Sequence, residues 1–171
     1  MIVFVDESGL SERPHRVRTW APRGQTPVLQ YHFNWKLLSV IAGLSWRNFY
    51  FRLYPGTIKS DQIVEFLGHL RRQFRQKPLI VWDGLQAHRS RKVRQYVAAR
   101  HGELGIEFLP PYAPELNPVE QIWNYGKNRE LANFCASDLP ELRTCACRSF
   151  RRMQRRPALI AAFWKQTELA L

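Results

Sequence analysis

The feature that most constrains the fold is a change of apolar rhythm near residue 60. Before it, apolar residues come in continuous runs: IVFVDESG at the start, then KLLSVIAGLS and NFYFRLYPG. Such runs read as strands, the first ending at Asp6 and the third closed by Pro55-Gly56. After it, SDQIVEFLGHLRRQFRQ spaces Ile63, Phe66, Leu67, Leu70 and Phe74 as a helix does, with Ser60 or Asp61 able to cap the start. Short apolar strands then alternate with helices: PLIVWDG, the helix SRKVRQYVAARHG stopping at Gly102, and GIEFLP. Three closing helices are predicted over PVEQIWNYGKNRELAN, LPELRTCACRSFRRMQRR and PALIAAFWKQTELAL. RVRTWAPRGQTPVLQYH has turn signals at Pro22–Gly24 followed by an extended run, which predicts a hairpin strand.

This order predicts an α/β fold with a mixed sheet of about five strands flanked by helices. The first, fourth and fifth strands would lie together in its parallel part. No repeat and no linker divides the 171 residues, so a single domain over 1–171 is expected, with a core over 1–130 and a helical tail over 131–171. The apolar runs are too short to span a membrane and the first residues too quickly acidic for a signal peptide, which points to the cytoplasm. The three cysteines, Cys135, Cys145 and Cys147, match no common zinc spacing and read as thiols in a reducing compartment.

Charge narrows the partner. There are 26 Lys and Arg against 14 Asp and Glu, a net charge of +12, and the basic residues cluster in RRQFRQK, RSRKVR and RRMQRR. A polyanion is the expected partner, and nucleic acid is the commonest one.

Against that basic background stand three acids. Asp6 and Asp83 end apolar strands, where ligands collect in sheets of this kind. Glu120 follows the stretch LPPYAPELNPVEQIW, which holds Pro110, Pro111, Pro114 and Pro118. Three carboxylates brought together repel one another, and divalent cations remove that conflict. Mg²⁺ favours carboxylate oxygens, and two ions can hold the attacking and leaving oxygens of a phosphodiester displacement.

FVDESG, TWAPRGQTP, VWDGLQAHRS and LPPYAPELNPVEQIW, in that order, resemble the catalytic domain of a DDE transposase of the mariner superfamily, in its bacterial insertion-sequence branch. The resemblance runs from near residue 1 to about 130. It implies a ribonuclease H-like fold and cut-and-paste transposition. Water cuts a phosphodiester at the element end, and the freed 3′-hydroxyl attacks target double-stranded DNA, at a TA dinucleotide by family expectation. It implies Asp6, Asp83 and Glu120 as the catalytic, metal-holding triad, with two Mg²⁺ ions for which Mn²⁺ can substitute. Family members usually carry helix-turn-helix modules before the first catalytic Asp, and five residues precede Asp6 here. End recognition is therefore expected from an N-terminal DNA-binding module in a separate or frameshift-fused product, or to have been lost. Handling two element ends is compatible with a homodimer, although no residue pattern marks an interface. Two rival readings use the same sequence: a non-catalytic truncated transposase that binds DNA or dimerises, and a nuclease that cuts without joining.

The prolines fit this reading, because a stiff loop holds Glu120 in place with little conformational entropy to lose. Asn117-Pro118-Val119-Glu120 is also a good helix start, so Asn117 is expected to cap and Glu120 to face the site. Glu7 is left outside the triad, because strand neighbours point to opposite faces. Asp83-Gly84 is also a common strand-ending turn. DNA-backbone contacts are expected from Arg89, Arg91 and Lys92, and more weakly from Arg23 and His88. Trp20, Trp35, Trp46, Trp82, Trp123 and Trp164 can stack on bases, but most read as core, with Trp123 packing beneath the site.

Overall fold

The computed structural model describes residues 1–31, 36–111 and 113–167; Trp35 lies outside them. Five strands form one mixed sheet: β1 (Ile2–Ser11), β2 (Leu37–Ser45), β3 (Phe49–Pro55), β4 (Leu79–Trp82) and β5 (Gly105–Phe108). Their order is β3-β2-β1-β4-β5. The β1–β2 and β2–β3 pairs are antiparallel, and β1–β4 and β4–β5 are parallel. The helices are α1 (Ser60–Gln73), α2 (Arg91–Ala98), α3 (Val119–Tyr125), α4 (Leu139–Gln154) and α5 (Pro157–Lys165). A π-helical turn, Gly126–Glu130, continues α3. The mixed five-stranded sheet and its parallel trio are those expected of a ribonuclease H-like fold.

Strand alternation divides the core in two. Val3, Val5, Ile41, Ile80 and Trp82 pack on the face covered by α1 and α2, with Ile63, Phe66, Leu67 and Leu70. Phe4, Leu10, Val40, Ala42 and Leu44 pack on the other face, with Ile122, Trp123, Phe150, Met153, Phe163 and Trp164 from α3, α4 and α5. The segment read as a tail thus supplies part of the main core. A large buried side chain is worth about 1.5–3 kcal/mol, so α4 and α5 hold the sheet rather than hang from it.

Three local expectations are corrected. β1 does not end at Asp6: its antiparallel ladder with β2 runs on to Ser11, opposite Leu37. The parallel ladder with β4 covers only Ile2–Phe4, so Asp6 stands just beyond the end of that shorter pairing. Residues 16–31 form no strand. Asn133 clips their start, accepting from Val17 N–H and donating to Val17 C=O, both at 2.9 Å. Pro22, Gly24 and Pro27 deny the rest a regular ladder, and the antiparallel partner is β2 instead. α1 begins one residue early, with Lys59 N–H donating to Gln62 Oε1.

Of the tryptophans in the described residues, Trp82, Trp123 and Trp164 are core. Trp20 and Trp46 are exposed. The three thiols are free and half-buried. Among the described residues no helix is long and apolar enough to cross a membrane.

Candidate active site

A pocket of about 460 Å³ opens where β1 passes the end of β4. Asp6, Asp83 and Glu120 all line it, with Arg89 and the loop prolines Pro110, Pro111 and Pro114. Each acid arrives by a different local device.

Asp6 is delivered by parity. It shares the face of Phe4 and so looks toward α3. There Trp123 Nε1 donates to its Oδ2 at 2.9 Å. Trp123 therefore does more than pack: it fixes one carboxylate oxygen and leaves the other for a ligand. Burial pushes the Asp6 carboxyl up to about 7. The Trp123 hydrogen bond works against that rise, and the nearby Glu120 charge adds to it.

Asp83 is delivered by a turn. Its Oδ1 accepts from Leu85 N–H at 3.1 Å, so the strand-ending Asp-Gly turn is present. The same oxygen lies 2.8 Å from His88 Nδ1. Gly84 leaves room for Arg89 here: a Cβ would sit 2.7 Å from Arg89 Nη2 and push that side chain aside. The Arg89 guanidinium lies across that bare backbone and over the Phe108 ring, 4.7 Å from its centroid.

Glu120 is delivered by the proline loop. Leu109 N–H bonds to Trp82 C=O, extending the β4–β5 ladder into the loop, and Pro114–Leu116 forms one 3₁₀ turn. Asn117 is buried, and its Oδ1 accepts from Val119 N–H at 3.2 Å. Asn117 thus caps the start of α3 and leaves the Glu120 carboxylate, which makes no capping hydrogen bond, to the pocket. Val119, Ile122 and Trp123 anchor α3 in the core beneath it.

The fourth acid, Glu7, faces the opposite side of β1 and meets His88. His88 Nε2 lies 2.8 Å from Glu7 Oε1, and the imidazole stacks parallel on Trp82 at 4.2 Å. Burial alone would lower the His88 pKa, but the Glu7 hydrogen bond and charge, with Asp83, turn the shift upward. This corrects the expectation of a DNA contact for His88. Its side chain is 0% exposed: Nε2 meets the Glu7 carboxylate and Nδ1 the Asp83 backbone carbonyl, at 3.2 Å, beside the Asp83 carboxylate. Sequence parity excluded Glu7 from the triad but gave no sign of its partner. The VWDGLQAH spacing was the one available signal, since five residues is about the length of a turn that folds His88 back on Asp83.

Of the remaining cations, Arg89 lines the pocket. Lys92 pairs with Asp61 on the surface. Arg91 and Arg23 are exposed away from the acids, Arg23 in the 16–31 segment.

The donor set is three hard carboxylates, which suits Mg²⁺ or Mn²⁺ better than a soft metal. They line one pocket, but among the described residues no three such groups are close enough to share a single ion.

A sequence profile described as DDE superfamily endonuclease matches residues 1–143. A protein of Sinorhizobium fredii named "Uncharacterized protein y4pE/y4sA" is 33% identical over 66 residues, 39% of this chain and 44% of that protein. The fold is similar to that of Mos1 transposase in its paired-end complex with the left transposon end: TM-score 0.62 at 16% identity, over 98% of this chain and 55% of that one. The mariner Mos1 paired end complex with Mg gives a TM-score of 0.65 at 18% identity, over 96% and 53%. The catalytic domain of Mos1 mariner transposase gives 0.59 at 13% identity, over 98% and 83%. At these identities the structural likeness is one of fold. The chain spans about half the length of the full transposase and less than half of the Sinorhizobium protein.

Proposed function

The chain belongs to the DDE superfamily endonucleases, and on that premise we propose that it is the catalytic domain of a DNA transposase, cutting and joining DNA strands with divalent metal. One observation carries the reading: acids from three separate motifs, each delivered by a different device, line a single pocket at the end of the parallel strands. Asp6, Asp83 and Glu120 would hold Mg²⁺, or Mn²⁺ in its place, as two ions. Mos1 complexes solved with Mg and with Mn support the choice of metal. Bound there, the metal would supply charge neutralisation at the scissile phosphate and activation of the attacking oxygen.

The chain's own residues do the rest. Trp123 holds Asp6 through Oδ2, and His88 Nδ1 bonds to the Asp83 C=O at 3.2 Å and stands 2.8 Å from its Oδ1. These contacts leave Asp6 Oδ1 and Asp83 Oδ2 for metal. Glu7 holds His88 in turn, so the imidazole orients one metal carboxylate from behind, as outer-shell partners do. The proline loop fixes Glu120 before substrate arrives, which matters because a misplacement of about 1 Å can cost about 100-fold in rate. Arg89 lines the same pocket, and in this reading its guanidinium would pair with a DNA phosphate. Recognition of element ends by an N-terminal module, pairing into a homodimer and a nucleoid-associated place in the cytoplasm belong to the same reading.

The test is strand nicking and joining on labelled double-stranded DNA with Mg²⁺ or Mn²⁺, for the wild type and Asp83→Ala. Metal-dependent joined products that vanish in the variant are expected. Cleaved ends without joining would point to a nuclease. DNA bound equally by both proteins and cut by neither would overturn the catalytic reading.

A further inference from the structure

We propose that the outward face of α4 is a second DNA site, a groove that grips the duplex backbone away from the carboxylate pocket. The proposal rests on the transposase reading for its choice of duplex DNA as ligand. A groove of about 790 Å³ runs along this helix. It is lined by Arg143, Arg148, Arg151, Arg152, Arg155 and Arg156, with Thr144 and Cys147 between them. The opposite face, with Leu142, Ala146, Phe150 and Met153, does the packing. Arg148, Arg151 and Arg155 are therefore not needed to seat the helix.

Their charge is largely unanswered. From 142 to 167 the chain has six Arg and one Lys and no acid. The acid in the first turn of α4, Glu141, is turned back onto Ser137. Glu130 answers two of the six: Arg152 Nε donates to its Oε2 at 2.9 Å, and Arg156 Nη1 lies 3.8 Å from its Oε1. Arg143 Nη1 donates to Leu53 C=O at 2.8 Å. Among the described residues the side chains of Arg148, Arg151 and Arg155 make no hydrogen bond or ion pair.

A helix C-terminus welcomes cations, which accounts for Arg151 and Arg152 in the last turn. It does not account for Arg148 in mid-helix. Like charges three or four positions apart repel, and Arg148, Arg151 and Arg155 stand at those spacings on one stripe. A phosphate backbone relieves that repulsion. Guanidinium forks match phosphate oxygens in pairs, which lysine cannot do. From Arg143 to Arg155 the helix rises about 18 Å, roughly half a turn of duplex. α4 packs on β2 and β3, whereas the carboxylates sit at β1 and β4, so the two sites are separate.

The test is the salt dependence of binding to a labelled duplex of about 30 base pairs, roughly three turns, by fluorescence anisotropy without divalent metal. Wild type, Arg151→Gln and the triple variant Arg148→Gln/Arg151→Gln/Arg155→Gln are compared between about 50 and 200 mM salt. Each phosphate contact contributes about 0.9 to the slope of log K against log salt. The slope should fall by about 0.9 in the single variant and about 2.7 in the triple. The single variant keeps the result readable should the triple fail to fold. Unchanged slopes would overturn the proposal. So would a wild type that ignores duplex DNA but binds RNA or anionic vesicles through these arginines. A slope that falls as expected supports the groove whether or not the protein cuts DNA, so failure of the catalytic reading remains distinguishable.

Discussion

Asp6 and Glu7 are neighbours in sequence and live in different chemical worlds. Asp6 looks to the α3 side of the sheet, where Trp123 holds one oxygen and Glu120 stands nearby. Glu7 looks to the α1–α2 side, where it binds a buried imidazole. One peptide bond separates a carboxylate that lines the pocket from one that braces it from behind. The difference shows that in a strand the side of the sheet, not the residue type, assigns the role.

The comparison breaks first by cutting into the pocket itself. Asp6→Ala, Asp83→Ala or Glu120→Ala should each lower metal-dependent cleavage by about 1000-fold or more, read by single-turnover nicking. Duplex binding measured without metal should survive in all three. If Glu7→Ala were equally damaging, the division of labour across β1 would be wrong.

The bracing side should show a graded effect. His88→Ala is expected to lower cleavage by about 10–100-fold and to weaken Mn²⁺ binding by calorimetry over a similar range. Glu7→Gln retains a hydrogen-bonding oxygen for the imidazole, so it should fall well short of that loss. Equal losses in the two variants would mean that charge, and not positioning, links Glu7 to the site.

Stability against pH sharpens the contrast further. The Asp6 pKa is raised from 3.8 to about 7, so between those values the folded protein binds this proton more tightly than the unfolded chain. Stability therefore falls as pH rises through that window. Asp6→Asn should raise the metal-free stability by on the order of 2–4 kcal/mol at about pH 8, with the gap closing by about pH 4, in urea melts. His88, also raised, loses its charge-linked stability in the same direction as pH climbs. Mg²⁺ should restore the wild type at alkaline pH and leave Asp6→Asn unmoved.

The smallest effect is expected from Trp123→Phe, which keeps a ring in the core and removes the donor to Asp6. About 1–3 kcal/mol of hydrogen bonding to a charged group is lost. Because that bond holds the Asp6 pKa down, its loss should move the acid limb of the pH–rate profile upward. An unmoved limb would detach Trp123 from the site.

Much of this was legible in advance. The order of elements, the parallel trio and the three pocket acids followed from apolar spacing and from motifs that each lie within a few residues. The extent of β1 was not, because Asp6 reads as a strand end until β2 is known to pair on to Ser11. The 16–31 segment misled for a similar reason: it has the punctuation of a hairpin, yet a longer apolar partner took the ladder. His88 reads as a weak DNA contact in the motif that carries Asp83. Only the closure of the Asp83 turn, with Trp82 below and Glu7 opposite, encloses it.

Which residues alternate and where the chain must turn follow from neighbours along the chain, and its positive charge is a plain sum over its residues. What covers each face of the sheet is set by packing between distant segments. Parity says that Asp6 and Glu7 point apart, but not that one meets an indole and the other an imidazole. It likewise leaves open that one side of α4 is buried and the other stands as a wall of arginine. Those outcomes depend on packing between residues far apart in the chain, where burial and hydrogen bonding set the pKa of an acid and the exposure of a charge.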